Sequence, residues 1–371
     1  MKKYSILILL YFSLTTIVSN AQDQKYILAD FNSYNQSLNN AVEHHFSQLN
    51  DGEKVAQLIM PAIGAYGQKE VTIDRLVEEK KIGGLLLLNG TKEQFKNWVI
   101  KYNSTNKENG NLPFLFSADA EASLVNRKIR NSTPVKKANK LQTKKEVVTV
   151  ARTISQDLKE IGINYNFAPV VDMSPNKTVG WRSFGHVPDS VIPWSDAFIQ
   201  ETQRHNIIAT AKHFPGHGFV EGDTHKKLVY INGEMKEIKN YPPLIKNNVT
   251  SVMIAHIAVA NNSPFNTKGL PSSISKEIVT DLLRDSLNFQ GLIVTDAMNM
   301  LGVSTIKNAN VRAIEAGVDI LLMPLDAAKA HQEILSKYKS DENFKQKVDE
   351  SCKRIIRAKL CTAGKLFPNT P

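Results

Sequence analysis

Eight short apolar runs recur along this chain, most of them separated by stretches whose apolar residues fall three and four apart. The runs are Val55 to Ile63, Ile82 to Leu88, Leu112 to Ala118, Ile163 to Val171, Ile207 to Lys212, Ser251 to His256, Gly291 to Thr295 and Val318 to Met323. Their low internal polarity and β-branched content predict strands buried on both faces, as in a parallel sheet. Between them, Val71 to Lys81, Thr91 to Tyr102, Thr143 to Ile161, Ile192 to His205, Ile274 to Leu287 and Asn308 to Ala316 read as helices. Val147, Val150, Ile154, Leu158 and Ile161 show the one-face spacing that covers a sheet. Tyr241-Pro242-Pro243 restricts the unit after Tyr230 to a single turn at Leu244 to Asn247, since proline breaks a helix interior. Ala327 to Tyr338 and Glu342 to Leu360 predict closing helices, and the last residues, Asn369-Thr370-Pro371, a frayed end. Eight such units in about 300 residues favour an α/β fold built as one closed (β/α)8 TIM-type barrel, its early units irregular, over an open sheet. No repeat and no second domain stands out.

The chain ends modify this picture. Lys2 and Lys3 precede an apolar stretch, Ile6 to Val18, that closes on Ser19-Asn20-Ala21 before polar residues. This is the pattern of a secretory signal peptide over residues 1–21, leaving 22–371 as the barrel domain. The stretch is shorter than the ~20 residues that span a bilayer and is interrupted by Ser13, Thr15 and Thr16. An exported, periplasmic or secreted, protein without a membrane span is expected, and no cysteine stands near Ala21 to accept a lipid. Cys352 and Cys361 are the only cysteines; on one helix they lie roughly 13 Å apart, too far for a disulfide. Free thiols are expected.

The net charge is +10, or +8 without the leader lysines. Lysines such as Lys136-Lys137 and Lys144-Lys145 are scattered, without the aromatic-interleaved basic block that reads nucleic acid. A solvated basic surface, with at most weak attraction to anionic glycans, follows.

Polar residues gather at one end of the runs. Asp119, Asp172, His213, His256 and Asp296 each stand at or just past a C-terminal strand end, where barrel enzymes place their chemistry. Asp296 ends Gly291-Leu292-Ile293-Val294-Thr295, with Met298 and Met300 nearby as an apolar wall. It can cap the next helix, but a carboxylate so placed is well suited to be a nucleophile. Lys212-His213-Phe214-Pro215-Gly216-His217-Gly218 could bind a metal with Asp223 and His225. Pro215-Gly216 prevents one-face helical presentation, and Lys212 would set a positive charge beside the cation, so a polyol-binding strand end is preferred, with no metal and no cofactor. Asp223 next to His225, in a Gly-containing loop, tunes an imidazole for proton transfer. Asp119 or Glu121 could be a general acid paired with Asp296, or either could hold sugar hydroxyls.

These segments resemble glycoside hydrolase family 3, specifically its single-barrel β-N-acetylglucosaminidase branch, from about Val55 to Phe367. The likeness rests on Lys212 to Gly218 with Asp223-Thr224-His225, and on Gly291 to Met300. Ile82-Gly83-Gly84, Asn166 to Asp172, Arg182-Ser183-Phe184-Gly185, Met253 with His256, and Ala316-Gly317-Val318-Asp319 support it. The resemblance implies Asp296 as nucleophile, His225 as acid/base oriented by Asp223, and Asp119, Arg182, Lys212 and His213 as contacts to the terminal sugar. It implies an exo-acting, retaining, monomeric enzyme releasing N-acetylglucosamine from peptidoglycan fragments (muropeptides) or chitooligosaccharides. A β-glucosidase, a phosphorylase or a non-catalytic glycan-binding barrel are the rivals. Two departures bear on the leaving-group side: Ala122-Ser123 stands where the family commonly has Gly-Gly, and His186 where it has an acid. The segment Lys128 to Lys140 is also unusually basic.

Overall fold

The computed structural model describes residues 26–175, 179–220, 222 and 227–363. The expected leader, the Asp223-Thr224-His225 triplet and the chain end lie outside the described residues. Each of the eight predicted runs contains a strand. β1 is split at Pro61 into Ile59–Met60 and Ala62–Gly64; β2 is Gly84–Leu88, β3 Leu115–Ala118, β4 Tyr165–Asn166, β5 Ile208–Phe214, β6 Ser251–Ile254, β7 Leu292–Thr295 and β8 Leu321–Leu322.

All neighbours are parallel. Ala62 pairs with Leu86, Gly84 with Leu115, Ser117 with Tyr165, Tyr165 with Ile208, Ser251 with Thr210 and with Leu292. The barrel closes because β8 meets both ends of this sheet: Val294 bridges Ile320, and Ile59 pairs with Leu321. Contacts between non-adjacent strands cross the interior. The Ser117 hydroxyl of β3 reaches Met60 Sδ of β1 at 3.1 Å, and the Tyr165 hydroxyl of β4 meets Ser251 Oγ of β6 at 2.6 Å. Alternate strands thus fill the barrel in layers.

Helix starts follow side-chain caps. Thr91 and Thr143 accept from the backbone N–H groups of Gln94 and Glu146, opening helices Lys92–Glu108 and Lys144–Ile161. The first run begins later than its apolar pattern suggests. Asn50 and Glu53 form a reciprocal capping box that turns Asp51–Ala56 into a helix, so Val55 packs from a helix and the strand starts at Ile59. The fourth run is regular only at Tyr165–Asn166; beyond Pro169, which has no N–H to give, the chain follows β5 through the single bridge Val170 to Lys212. A helix at Gln36–Gln48, weakly apolar and unexpected, covers the closing helix Glu342–Thr362. A second parallel pair, Val229–Asn232 with Ile257–Ala260, adds a small apolar cluster of Val220, Val229, Ala255 and Ile257.

Gly83 shows why a short side chain is required after Ile82: a Cβ there would stand 2.4 Å from Gln57 Cα. Asp319, fully buried before β8, accepts from Arg284 at 2.9 Å, from Arg354, from Ser351 Oγ at 2.8 Å and from the Ile293 N–H at 2.8 Å. It ties β7, β8 and the closing helix by one compensated charge. Cys352 and Cys361 are buried on the unbroken helix Glu342–Thr362 and form no disulfide with each other, as the spacing requires. Among the described residues no helix is long and apolar enough to cross a membrane.

The same helix buries Lys359 completely, with Nζ 2.5 Å from Gln57 Oε1. Burial pushes its pKa down to about 7, against roughly 10.4 in an unfolded chain. The folded state then sheds a proton that the unfolded state keeps, so the destabilisation grows as pH falls from about 10 to about 7 and is constant below. Lys359→Met should therefore raise stability by about 1–3 kcal/mol at pH 7 and by less at pH 10, measured by urea unfolding at both pH values.

Candidate active site

The C-terminal ends of the strands converge on a pocket of about 520 Å³. Asp119, Arg182, Lys212, His213 and Asp296, five of the seven residues expected from the sequence, all line it. The other two, Asp223 and His225, lie outside the described residues. Glu121, weighed above as an acid or a hydroxyl ligand, proves to have another role.

Glu121 follows β3 and is 2% exposed. Arg182 forks onto it, Nε to Oε2 and Nη2 to Oε1, both at 2.7 Å, and Lys212 Nζ lies 2.6 Å from Oε1. Burial opposes the charge, but Arg182 and Lys212 outweigh it and hold the carboxyl well below its usual range. A permanently ionised, doubly paired carboxylate cannot donate a proton, so Glu121 is the anchor of the two cations. Lys212, fully enclosed at the end of β5, stays charged for the complementary reason: burial lowers its pKa, and Asp119 and Glu121 raise it by more. Its Nζ also gives a 3.0 Å hydrogen bond to Asp119 Oδ1. Among the described residues two of the three ammonium donors are thus committed, and the Arg182 fork leaves its Nη1 donors over. Those donors and the part-exposed Asp119 form a set suited to sugar hydroxyls.

Asp172, at the end of the β4 run, organises the turn after β5. It accepts the His213 N–H at 3.2 Å and the His217 N–H at 2.9 Å, and its Oδ2 is 2.7 Å from His213 Nδ1. The Nδ1 proton faces that carboxylate, so Nε2 is the ring nitrogen left for a ligand. Beside it, Glu237 accepts from the Met173 N–H at 2.5 Å and the Gly218 N–H at 2.8 Å. A Cβ on Gly218 would meet Met173 O at 1.9 Å, which accounts for the glycine in this turn.

Asp296 is delivered by β7, its N–H bonded to Ile254 O at 2.8 Å. Its Oδ1 accepts the Ala297 N–H at 2.8 Å. His256, ending β6, places Nε2 3.0 Å from Ala297 O and Nδ1 2.7 Å from Ser273 Oγ, and so holds the backbone next to Asp296. Burial would raise the Asp296 pKa; His213, His256, the Ala297 N–H and Lys212 together lower it. The carboxylate is ionised and turned to the pocket, as a nucleophile must be. Met300 lines the pocket as expected, whereas Met298 is 3% exposed and packs in the core, its N–H bonded to Leu322 O. Both are apolar, but the turn after β7 sends Met300 to the pocket and Met298 to the core.

The sequence reading missed Tyr66, Arg127 and Trp181 in the lining. Nothing in their local pattern marks them: Tyr66 lies in a turn, Arg127 on the short helix Leu124–Lys128 and Trp181 on the single turn Gly180–Arg182. The departures are accommodated. Ser123 adopts the left-handed conformation with φ of 63°, and His186 is exposed, its Nδ1 3.0 Å from Ser174 Oγ.

Residues 52–358 match the family model "Glycosyl hydrolase family 3 N terminal domain", and the chain belongs to that family. It is 35% identical over 195 residues to beta-hexosaminidase A of Pseudoalteromonas piscicida, an alignment covering 47% of this chain and 33% of that protein. A glycoside hydrolase family 3 beta-N-acetylglucosaminidase from Paenibacillus sp. str. FPU-7 superposes with a TM-score of 0.78 at 26% identity, over 85% of this chain and 63% of that one. Beta-N-acetylhexosaminidase from Beutenbergia cavernae DSM 12333 gives 0.76 at 25% identity, over 84% and 99%. The chain spans between 33% and 65% of the length of the first curated relatives it matches.

The lowered carboxyls of Glu121, Asp172 and Asp296 contribute stability that is present above about pH 4 and lost as pH falls through their folded values. Glu121→Gln should cost about 3–5 kcal/mol at pH 7, because two buried cations lose their counter-charge. It should also flatten the acid limb of the stability curve relative to wild type, read by thermal unfolding from pH 7 to pH 3.

Proposed function

We propose that the protein is an exo-acting, retaining β-N-acetylglucosaminidase that removes terminal N-acetylglucosamine from peptidoglycan fragments or chitooligosaccharides. The observation that carries this reading is the ionised Asp296 facing, across one pocket, a fixed cluster of hydroxyl-binding groups: Asp119, Arg182, Lys212 and His213. The names of similar proteins, beta-hexosaminidases and beta-N-acetylglucosaminidases, support the choice of sugar.

In this mechanism Asp296 attacks the anomeric carbon while His225, paired with Asp223, protonates the leaving oxygen. The glycosyl-enzyme is then hydrolysed with His225 as base. Asp172 keeps the His213 ring turned to the sugar, and Glu121 keeps Lys212 and Arg182 in place without touching substrate. No metal or organic cofactor is required. The protein acts outside the cytoplasm as a monomer, after removal of residues 1–21.

A panel of aryl β-glycosides, with and without chelator and with and without phosphate, tests the reading. The N-acetylglucosaminide should be cleaved in preference to the glucoside, unaffected by chelator and without sugar 1-phosphate; no cleavage of any β-glycoside would rule out the enzyme. Asp296→Ala should abolish turnover while retaining fold and weak sugar binding, and a mechanism-based fluorosugar should label Asp296 in the native protein. Labelling of Asp119 would overturn the assignment.

His225→Ala should slow substrates with poor leaving groups by about 10²–10⁴-fold and activated aryl substrates much less in glycosylation, with azide restoring the second step. Asp223→Asn should give a smaller loss and move the histidine-dependent limb of the pH profile to lower pH, since the negative charge that favours the protonated imidazole is gone. Equal slowing of every substrate, without azide rescue, would assign the proton donor elsewhere.

A further inference from the structure

One side of the pocket mouth carries charge that the proposed chemistry does not use. Between Glu121 and Glu146 the chain holds eight Lys or Arg and no Asp or Glu. Arg127 and Lys128 from this stretch line the pocket together with Trp181. The Arg127 guanidinium lies 5.8 Å from the centre of the Trp181 ring, and Lys137 Nζ lies 5.5 Å from it. Lys136 is neutralised by Glu146 at 2.6 Å. Among the described residues, by contrast, neither Arg127 nor Lys137 meets a carboxylate within ion-pair distance. Among the described residues Lys128 reaches only Asp119, at 3.9 Å, which is already bonded to Lys212. Gathering like charges around one indole is unfavourable by itself, so the arrangement calls for an opposite charge from a ligand.

The position tells which part of a ligand this would be. Glu121 and Lys212 are buried at the closed end, while Arg127 and Lys137 are exposed. A terminal sugar seated against Asp296 and held by Lys212 and Arg182 must send its leaving group outward, past Trp181. We infer that Arg127, Lys137 and Trp181 form a leaving-group subsite for an aglycone bearing a carboxylate, its ring packed beside the indole and its charge set between the two cations. This rests on the glycosidase reading and narrows it: carboxylate-bearing glycan fragments are preferred over neutral oligosaccharides.

The test compares two aryl β-N-acetylglucosaminides of matched leaving-group pKa, one with a ring carboxylate and one with the corresponding carboxamide. In the wild type, kcat/KM should favour the carboxylate roughly tenfold at low ionic strength, two near-surface cations each contributing a few-fold, and the ratio should shrink as salt is added. Arg127→Gln with Lys137→Gln should bring the ratio close to one, and Arg127→Glu with Lys137→Glu should invert it. Both side chains are exposed, so these variants should keep the native circular dichroism and thermal unfolding. Equal kcat/KM for the two glycosides in the wild type, or a ratio that charge reversal leaves unmoved, overturns the subsite while the glycosidase reading stands. Cleavage of neither glycoside overturns that reading and the subsite with it.

Discussion

A carboxylate and an ammonium with almost no access to water, Glu121 and Lys212, and the Arg182 guanidinium that closes on them set the frame of the active face. Lys212 is carried by β5, Arg182 by the segment after β4 and Glu121 by the segment after β3, so their mutual neutralisation pulls three separate parts of the chain to one point. Removing Glu121 leaves two cations without their shared counter-charge, which is why such a group is costly to dismantle even though it adds little net stability when complete. Its consequence for chemistry is fixed protonation. Glu121 cannot serve as an acid and Lys212 cannot serve as a base, so the cluster can only bind.

Around that anchor, carboxyl groups hold backbone. Asp172 takes the N–H and imidazole of His213, at the end of β5, and the N–H of His217 in the turn that follows, and Glu237 takes the N–H of Met173, after the β4 run, and of Gly218 in that turn. Turns without regular secondary structure must satisfy their N–H groups somehow, and buried carboxylates do so while orienting His213. The pair has an electrostatic cost, visible at Glu237, whose pKa is pushed up to about 8 by burial and by Asp172. His256 performs the equivalent service next to Asp296 by binding the Ala297 carbonyl. Asp296 and His213 are therefore seated at strand ends and braced by neighbouring groups, an arrangement that limits their reorganisation. Arg127, on the short helix Leu124–Lys128, and Lys137, in the irregular segment that follows, lie outside this braced set.

Much of this was legible in the chain. The alternation of buried strands with one-face helices determined the barrel, because a parallel strand covered on both faces must be apolar throughout and its crossover must be amphipathic. The strand-end positions of Asp119, His213 and Asp296 followed, since the polar residue that ends an apolar run necessarily emerges at the barrel's C-terminal face. Short-range signals that compete were harder to rank: the Asn50–Glu53 capping box overrode the apolar start of the first run, and Pro169 shortened the fourth. What only the tertiary structure decided is which charges meet. The sequence allows Glu121 as an acid or a hydroxyl ligand; its role as an anchor comes only from Arg182, 61 residues away, and Lys212 closing on it. Trp181, Arg127 and Lys137 became one surface only through folding. Periodicity records how a residue relates to its neighbours along an element, whereas ion pairing and burial depend on distances between elements, and those are set by the closure of the barrel.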